Sequence, residues 1–161
     1  MPFSLQHTIY IQLSPERITA RNIHTGEHWS DTPHIALAER GRKVILAVGS
    51  NALLAAQEPG VTVHNPLGHP RTLVSDFTLT EQLMKYALAR VGSRGLCRAS
   101  PKVLVHPLGD PEGGLAQVEI RALRELALGG GAARSLVWQG PPLSDQEIAS
   151  RNRPREGELL N

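Results

Sequence analysis

A glycine-rich loop at residues 109–114 is the first place in this chain where a phosphate could bind. The loop precedes a helical pattern, and backbone N–H groups at the start of a helix point at bound anions. However, the loop also carries Asp110 and Glu112, whose negative charges repel phosphate. We therefore interpret it as a tight surface loop, and the sequence contains no Walker-type Gly-Lys-Ser/Thr motif.

Histidine, cysteine and aspartate residues offer other chemistry, but their spacing does not favour a site. Of the seven histidines, His24 and His28 flank a turn and could face each other, yet no cysteine or carboxylate stands nearby at metal-ligand spacing. We predict no metal site. The single cysteine, Cys97, cannot form an internal disulfide and is interpreted as structural. Asp76 precedes a helical pattern and is better explained as a helix cap than as a catalytic acid.

The bulk composition is that of an ordinary globular domain. The 161 residues carry 17 basic and 15 acidic side chains, and the net charge of +2 is too small to indicate a nucleic-acid partner. No apolar run is long enough for a transmembrane segment, and the N-terminus does not resemble a secretory signal. We therefore expect a cytoplasmic location.

The elements that must position any site centre on residues 100–139. An apolar strand at residues 103–105 is followed by a helical pattern over residues 115–128, a triple glycine and a second apolar strand at residues 136–138. A strand–helix–strand unit of this kind normally returns its second strand parallel to the first. Gly129 to Gly131 are expected to end the helix.

The first half of the chain predicts an antiparallel meander. Its predicted strands are residues 7–13, 18–23, a weaker segment at 27–37 that Pro33 interrupts, and 42–48. Two helices follow: a short one at residues 52–56 capped by Ser50 or Asn51, and a longer one at residues 81–91 with Thr80 as its N-cap.

Together these elements predict an α/β fold in which helices pack on a mixed sheet of about five strands. We expect the folded part to span residues 1–143. Residues 144–161 are polar, and we predict one helical turn near residues 145–149 in a tail that is otherwise mobile.

Several stretches, taken in order, resemble the rod shape-determining MreB family of bacterial actin homologues. They are Ala47-Val48-Gly49, Val74-Ser75-Asp76-Phe77, Thr80-Glu81-Gln82-Leu83-Met84, Ser100-Pro101-Lys102-Val103-Leu104-Val105, Gln117-Val118-Glu119, Ala122-Leu123-Arg124-Glu125-Leu126-Ala127 and Gly131-Ala132-Ala133-Arg134. The resemblance runs from about Ile9 to Pro141. It implies an actin-like, ribonuclease H-like fold, of which this chain matches the first large subdomain.

The turn after the first strand departs from the family pattern. Family members have an Asp-Leu-Gly-Thr type of turn, in which small residues approach the nucleotide phosphates and the Asp organises a metal ion. Here Gln12 replaces the Asp and Ser14 replaces the key glycine, while Pro15 removes a backbone donor. Glu16 adds a negative charge where the resemblance places phosphate, and Arg17 is interpreted as a solvated turn charge.

A second departure follows the last predicted strand, where Gln139 and Gly140 stand in place of the family's pair of glutamates. One of those glutamates is expected to position the attacking water. The family's second phosphate loop and adenosine-binding half are also expected to be missing. The resemblance thus implies the fold, whereas the substitutions predict no hydrolysis of ATP by this chain alone and no bound cofactor.

Three functions remain open on the sequence. The first is a non-catalytic actin-like protein of cell-shape or cytoskeletal assembly, which binds itself as a dimer or a full-length actin-like protein. The second is a weak or shared-site module that binds ATP and Mg²⁺. The third is a structural component of another assembly, such as a pilus apparatus. Fold alone does not decide among them.

Overall fold

The computed structural model describes residues 7–92, 99–109 and 112–161. The predictions made for Cys97 and Asp110 fall outside these residues. In chain order the elements are β1 (Thr8–Leu13), β2 (Ile18–Asn22), β3 (His28–Asp31), β4 (Ile35–Glu39), β5 (Lys43–Val48), α1 (Ser50–Ala55), β6 (Val61–His64), α2 (Phe77–Val91), β7 (Lys102–Pro107), α3 (Gln117–Gly129), β8 (Arg134–Gln139), α4 (Asp145–Ser150) and β9 (Glu158–Leu160).

A mixed sheet with the strand order β3-β2-β1-β7-β8-β9 forms the centre of the protein. The first three strands make the predicted antiparallel meander. Strands β1, β7 and β8 run parallel, so the predicted strand–helix–strand unit around α3 is confirmed. This α/β architecture, with helices packed on a mixed sheet, is the predicted fold class.

The second half of the predicted meander belongs to a separate small sheet, with the order β5-β4-β6. Pro33 lies between β3 and β4, so the weak segment at residues 27–37 is two strands in two different sheets. Proline lacks the N–H that would continue a strand ladder, and here the chain leaves one sheet for the other at this point. The expectation that residues 42–48 extend the meander of the main sheet was therefore wrong.

The two faces of the main sheet bury different cores, because successive side chains of a strand point to opposite faces. Ile9, Ile11, Val103 and Val105 lie in the larger core, which also contains buried residues of α2 and α3. The opposite face carries a smaller cluster of five buried residues, Tyr10, Leu104, Trp138, Leu143 and Ile148. The smaller cluster is covered by α4 and the chain that leads into it.

The helix starts refine the predicted caps. Helix α2 begins at Phe77, and its N-cap is Asp76, whose carboxylate accepts a hydrogen bond from the Leu79 N–H at 2.9 Å. The cap role of Asp76 is confirmed, and the choice of Thr80 was wrong. Helix α1 has no side-chain cap of its own; the Ser50 N–H instead donates to Asp31, at the end of β3, at 2.9 Å.

The C-terminal residues 144–161 are more structured than the sequence predicts. They contain α4, which includes the expected turn at residues 145–149, and β9, which pairs antiparallel with β8. Ile148 is buried, and Asp145 forms an ion pair with Arg21 of β2. These contacts are long-range in sequence, and for that reason the polar composition did not reveal them.

None of the helices in the described ranges combines the length and the apolar character needed to cross a lipid bilayer.

The last strand is held by a close approach between Gly157 and the indole ring of Trp138. A Cβ atom added at Gly157 would lie 2.1 Å from a ring carbon of Trp138, which is far inside van der Waals contact. We predict that Gly157→Ala displaces β9 and raises the hydrogen-exchange rates of those β9 amides that bond to β8 by at least about tenfold. Glu156→Ala, at the neighbouring exposed position, should leave those rates unchanged. Equal protection in both variants would contradict this account.

Candidate functional site

The residues that the sequence singled out lie at the carboxyl ends of the parallel strands β1, β7 and β8. We call this end of the main sheet its carboxyl edge. The turn at residues 14–17 follows β1, and Gln139 and Gly140 end and follow β8. Ligands of open α/β sheets bind at the carboxyl ends of the strands, so this edge is the place to look for a site.

The turn between β1 and β2 is closed on itself. The Ser14 N–H and hydroxyl both donate to the carbonyl oxygen of Arg17, at 3.0 and 3.1 Å, and the Ser14 hydroxyl accepts from the Arg17 N–H at 3.0 Å. The Pro15 carbonyl accepts from the Asn65 side chain at 2.7 Å. These backbone groups are thus engaged within the protein.

The charged residues of this turn do not gather around a ligand position. Glu16 is exposed. The Arg17 guanidinium donates to the Ser30 hydroxyl of β3 at 3.0 Å. Pro15 alone of the turn lines a cavity of about 340 Å³ at this edge, and Gln139 lines the same cavity.

This cavity has a mixed lining. Its apolar wall includes Pro107 and Leu108, and its charged residues are Arg71 and Glu119. The Glu119 carboxylate already accepts the Ala116 N–H at 2.8 Å, at the start of α3. Among the described residues of its lining, the cavity therefore sets the Arg71 cation against the Glu119 carboxylate, which suits a small polar molecule better than a triphosphate.

Gln12 is half-buried and belongs to a hydrogen-bond chain that leads to the buried Tyr10 and His106. The Thr19 hydroxyl donates to Gln12 Oε1 at 3.2 Å, and Gln12 Nε2 donates to the Tyr10 hydroxyl oxygen at 3.4 Å. Tyr10 contacts His106 Nδ1, and His106 Nε2 lies 2.9 Å from the carbonyl oxygen of Gly140. A chain of side chains thus joins the position of the expected Asp to the position of the expected Glu.

The direction of this chain follows from the partners at its ends. A carbonyl oxygen only accepts, so His106 Nε2 must carry the proton that it donates to Gly140, and Nδ1 then accepts from the Tyr10 hydroxyl. The Tyr10 oxygen also accepts the Leu143 N–H, at 3.2 Å. Every polar atom of the pair is satisfied with both rings neutral.

Burial favours those neutral forms. It lowers the pKa of His106 below its usual 6.5, a shift that the hydrogen bond to Gly140 partly opposes. Burial likewise raises the pKa of Tyr10 above 10.0. A neutral histidine that is 2% exposed and fully hydrogen-bonded is a structural group at neutral pH.

Gly140 is covered by the C-terminal residues. A Cβ atom at this position would lie 2.5 Å from the Cα of Gly157 and 3.0 Å from the Trp138 ring. The Trp138 indole N–H donates to the Pro141 carbonyl at 2.8 Å and holds the ring there. A glutamate side chain does not fit at position 140 unless residues 156–158 move away.

Sequence reasoning missed Tyr10, His106, Asn65 and Gly157 as parts of this region. Polar side chains within the apolar strand sequences IYIQL and VLVHP were the available signal for the first two. The contact of Asn65 with Pro15 depends on the small sheet, and no local pattern predicts it.

Metal-ligating groups are scattered among the described residues. In this part of the chain no three side chains of His, Cys, Asp or Glu come together around a possible ion position. The ring of His24 packs edge-on against His7, with centroids 5.8 Å apart.

The buried histidine makes stability depend on pH. Because the folded-state pKa of His106 lies below the unfolded value of about 6.5, the unfolded chain takes up the proton first as the pH falls. The stabilising contribution is complete above about pH 6.5 and is lost as the pH falls toward the folded-state pKa. We predict that the free energy of unfolding, measured by urea titration, decreases between about pH 7.5 and pH 5.5.

His106→Gln should remove most of this pH dependence, since glutamine can donate to Gly140 and accept from Tyr10 without titrating. His28→Gln, at an exposed histidine of β3, is the matched control and should keep the wild-type slope. The same slope in His106→Gln as in the wild type would refute the assignment.

Comparison with known proteins adds to this description. No protein-family description matches the chain. It is 31% identical over 117 residues to the cell shape-determining protein MreB of Haemophilus influenzae, an alignment that covers 69% of this chain and 32% of the relative. It is 33% identical over 102 residues to MreB of Escherichia coli K12, covering 62% of this chain and 27% of the relative. The chain thus spans about a third of the length of the curated relatives it matches.

The fold agrees with these sequence likenesses. The structure of MreB5 of Spiroplasma citri bound to AMPPNP superposes with a TM-score of 0.64 at 17% identity, covering 83% of this chain and 38% of that one. The structure of the same protein bound to ADP gives a TM-score of 0.64 at 16% identity, with the same coverage. The predicted actin-like fold and the predicted resemblance are confirmed.

Proposed function

Because this chain is an MreB-like actin homologue over about a third of its relatives' length, we propose that it is a non-catalytic actin-like protein of bacterial cell-shape or cytoskeletal assembly. It acts by binding a second copy of itself or a full-length actin-like protein. The observation that carries the proposal is that the carboxyl ends of the parallel strands are covered. Gly157 lies against Gly140, and the turn at residues 14–17 is closed by its own hydrogen bonds.

The covered carboxyl ends of the strands support a loss of nucleotide binding and hydrolysis. In the aligned Spiroplasma protein a bound nucleotide is present. Here the Gln12 side chain donates to the Tyr10 hydroxyl and the Ser14 hydroxyl donates to the Arg17 carbonyl. Neither group is free to hold a phosphate or a metal ion, and the protein would have to break these hydrogen bonds before either could do so.

Exposed apolar side chains on two neighbouring elements support binding to a protein. We define the apolar patch as Ile45, Leu53 and Leu54, which are 37%, 45% and 71% exposed on β5 and α1. The two elements pack against each other in the small sheet's layer. Exposed apolar surface of this kind is often an interaction site, since burying it removes it from water.

A shared-site ATP-binding module remains the alternative. The cavity lined by Pro15 and Gln139 lies where a nucleotide would approach, and Arg71 provides one cation there. A structural role in a different assembly, such as a pilus apparatus, would use the same binding surface with another partner.

The proposal predicts that Mg-ATP does not bind at the carboxyl ends of β1, β7 and β8. Isothermal titration calorimetry of Arg134→Gln/Arg151→Gln, which removes two cations at the opposite end of the sheet, should give no heat above dilution at ATP concentrations up to about 1 mM, a limit that corresponds to a binding free energy of about −4 kcal/mol. The Spiroplasma MreB5, whose structure holds AMPPNP, is the positive control. Saturable heat from this variant would favour the alternative instead.

The apolar patch should carry the association. Sedimentation velocity of the chain, alone and mixed with a full-length MreB, is expected to show a dimer or a mixed complex. Leu54→Glu should weaken that association by at least about tenfold, because it places a charge in an interface that excludes water.

Val118→Glu provides a matched control for this test. Val118 is 79% exposed on α3 and is flanked by Gln117 and Glu119, away from the apolar patch. The variant should associate like the wild type. A strictly monomeric chain in both experiments would contradict the proposal, and so would an equal loss in both variants.

A further inference from the structure

A row of basic residues lies at the amino ends of the parallel strands, opposite the candidate site described above. Lys102 and Arg134 are the first residues of β7 and β8, and Thr8 is the first residue of β1. Thr8 is in register with Lys102, and Lys102 with Arg134. Residues in register on neighbouring strands point to the same face, so the two cations stand side by side on the face of the smaller core.

The end of α4 adds two further cations to this row. Arg151 ends α4 in the left-handed conformation, with φ 58°, and Arg153 follows two residues later. Lys102, Arg134, Arg151 and Arg153 all line one concave cavity of about 320 Å³. Helix α4, which lies in the segment that the sequence predicts to be a tail, thus builds one wall of this cavity.

Among the residues that the structure describes, no acidic side chain forms an ion pair with this group. Ion pairs within residues 7–92, 99–109 and 112–161 join Arg21 to Asp145 and Arg121 to Glu125, and none includes a cation of the cavity. The Arg153 Nε atom is buried without a hydrogen-bond partner. Burial lowers the pKa of Lys102, and the charges of Arg151, Arg134 and Arg153 lower it further.

Like charges in register on neighbouring strands reduce stability, and so does a buried donor without a partner. A bound anion would relieve both costs. Arginine forms paired hydrogen bonds with phosphate oxygens, and several cations around one point favour a doubly charged group over a single carboxylate.

The lining of the cavity is partly apolar. Leu104, Leu136 and Ile148 contribute to it, and Leu104 and Ile148 are members of the smaller core. A cavity of about 320 Å³ that combines apolar side chains with a few convergent polar groups has the size and character of a small-molecule site.

We propose that this cavity binds a small organic phosphate, with the phosphate on Lys102, Arg134, Arg151 and Arg153 and the apolar part of the molecule on Leu104, Leu136 and Ile148. The site lies at the amino ends of the parallel strands, whereas the turn at residues 14–17 and Gly140 lie at the carboxyl ends. It does not depend on the proposed loss of ATP binding or on the apolar patch.

Phenyl phosphate is a suitable probe, because it combines a phosphate with one apolar ring. We expect isothermal titration calorimetry of the full chain at low ionic strength to show saturable binding of phenyl phosphate, weaker binding of inorganic phosphate and none of phenol. The double variant Arg134→Gln/Arg153→Gln should weaken phenyl phosphate binding by at least about tenfold. Arg134→Gln/Arg151→Gln, at two exposed positions, repeats the test without touching a buried group.

Arg40→Gln/Arg42→Gln is the matched control, since it removes two exposed charges from the β4–β5 turn and leaves the cavity intact. Its affinity for phenyl phosphate should stay within about twofold of the wild type. Absence of binding by the wild type would overturn the proposal, as would an equal loss of affinity in the control and the cavity variants.

Discussion

The parallel pairing of β1, β7 and β8 is the constraint on which the rest of this structure depends. Its register aligns Thr8 with Lys102 and Lys102 with Arg134 at one edge, and Gln12 with His106 near the other. Because side chains alternate between faces, one register decides which residues enter the larger core, which enter the smaller core and which cations meet. A shift by one residue would move Tyr10 and His106 to the face that holds α2 and α3.

The smaller core shows how polar groups are tolerated inside such a sheet. Tyr10 and His106 are each 2% exposed, and a buried polar atom without a partner destabilises a fold. The hydroxyl and both ring nitrogens have partners, and two of those partners, Leu143 and Gly140, belong to the chain that leads into α4. The cost of burying the polar groups is thus offset by interactions that also fix the C-terminal residues in place.

Local patterns in the sequence were sufficient for the main architecture. The apolar run at residues 103–105, the amphipathic pattern before Gly129 and the second run at residues 136–138 predict the strand–helix–strand unit because their signals are local. Pro33 indicated an interruption of the strand. It did not indicate that β3 and β4 belong to different sheets, because sheet membership depends on the neighbouring strands with which each one pairs. The order of the C-terminal residues was missed for the same reason: the contacts of Ile148 and Gly157 are with residues far away in sequence.

Two polar contacts have a mechanical consequence. Asp31 at the end of β3 accepts the N–H of Ser50 at the start of α1, and Asn65 beyond β6 donates to the carbonyl oxygen of Pro15. They fasten the small sheet to the main sheet at both of its ends. A force that a partner applies to α1 would therefore reach the end of β3 through the Asp31 contact. The turn after β1 would resist that force through the Asn65 contact. In such an assembly the closed turn would serve as an anchor for tension.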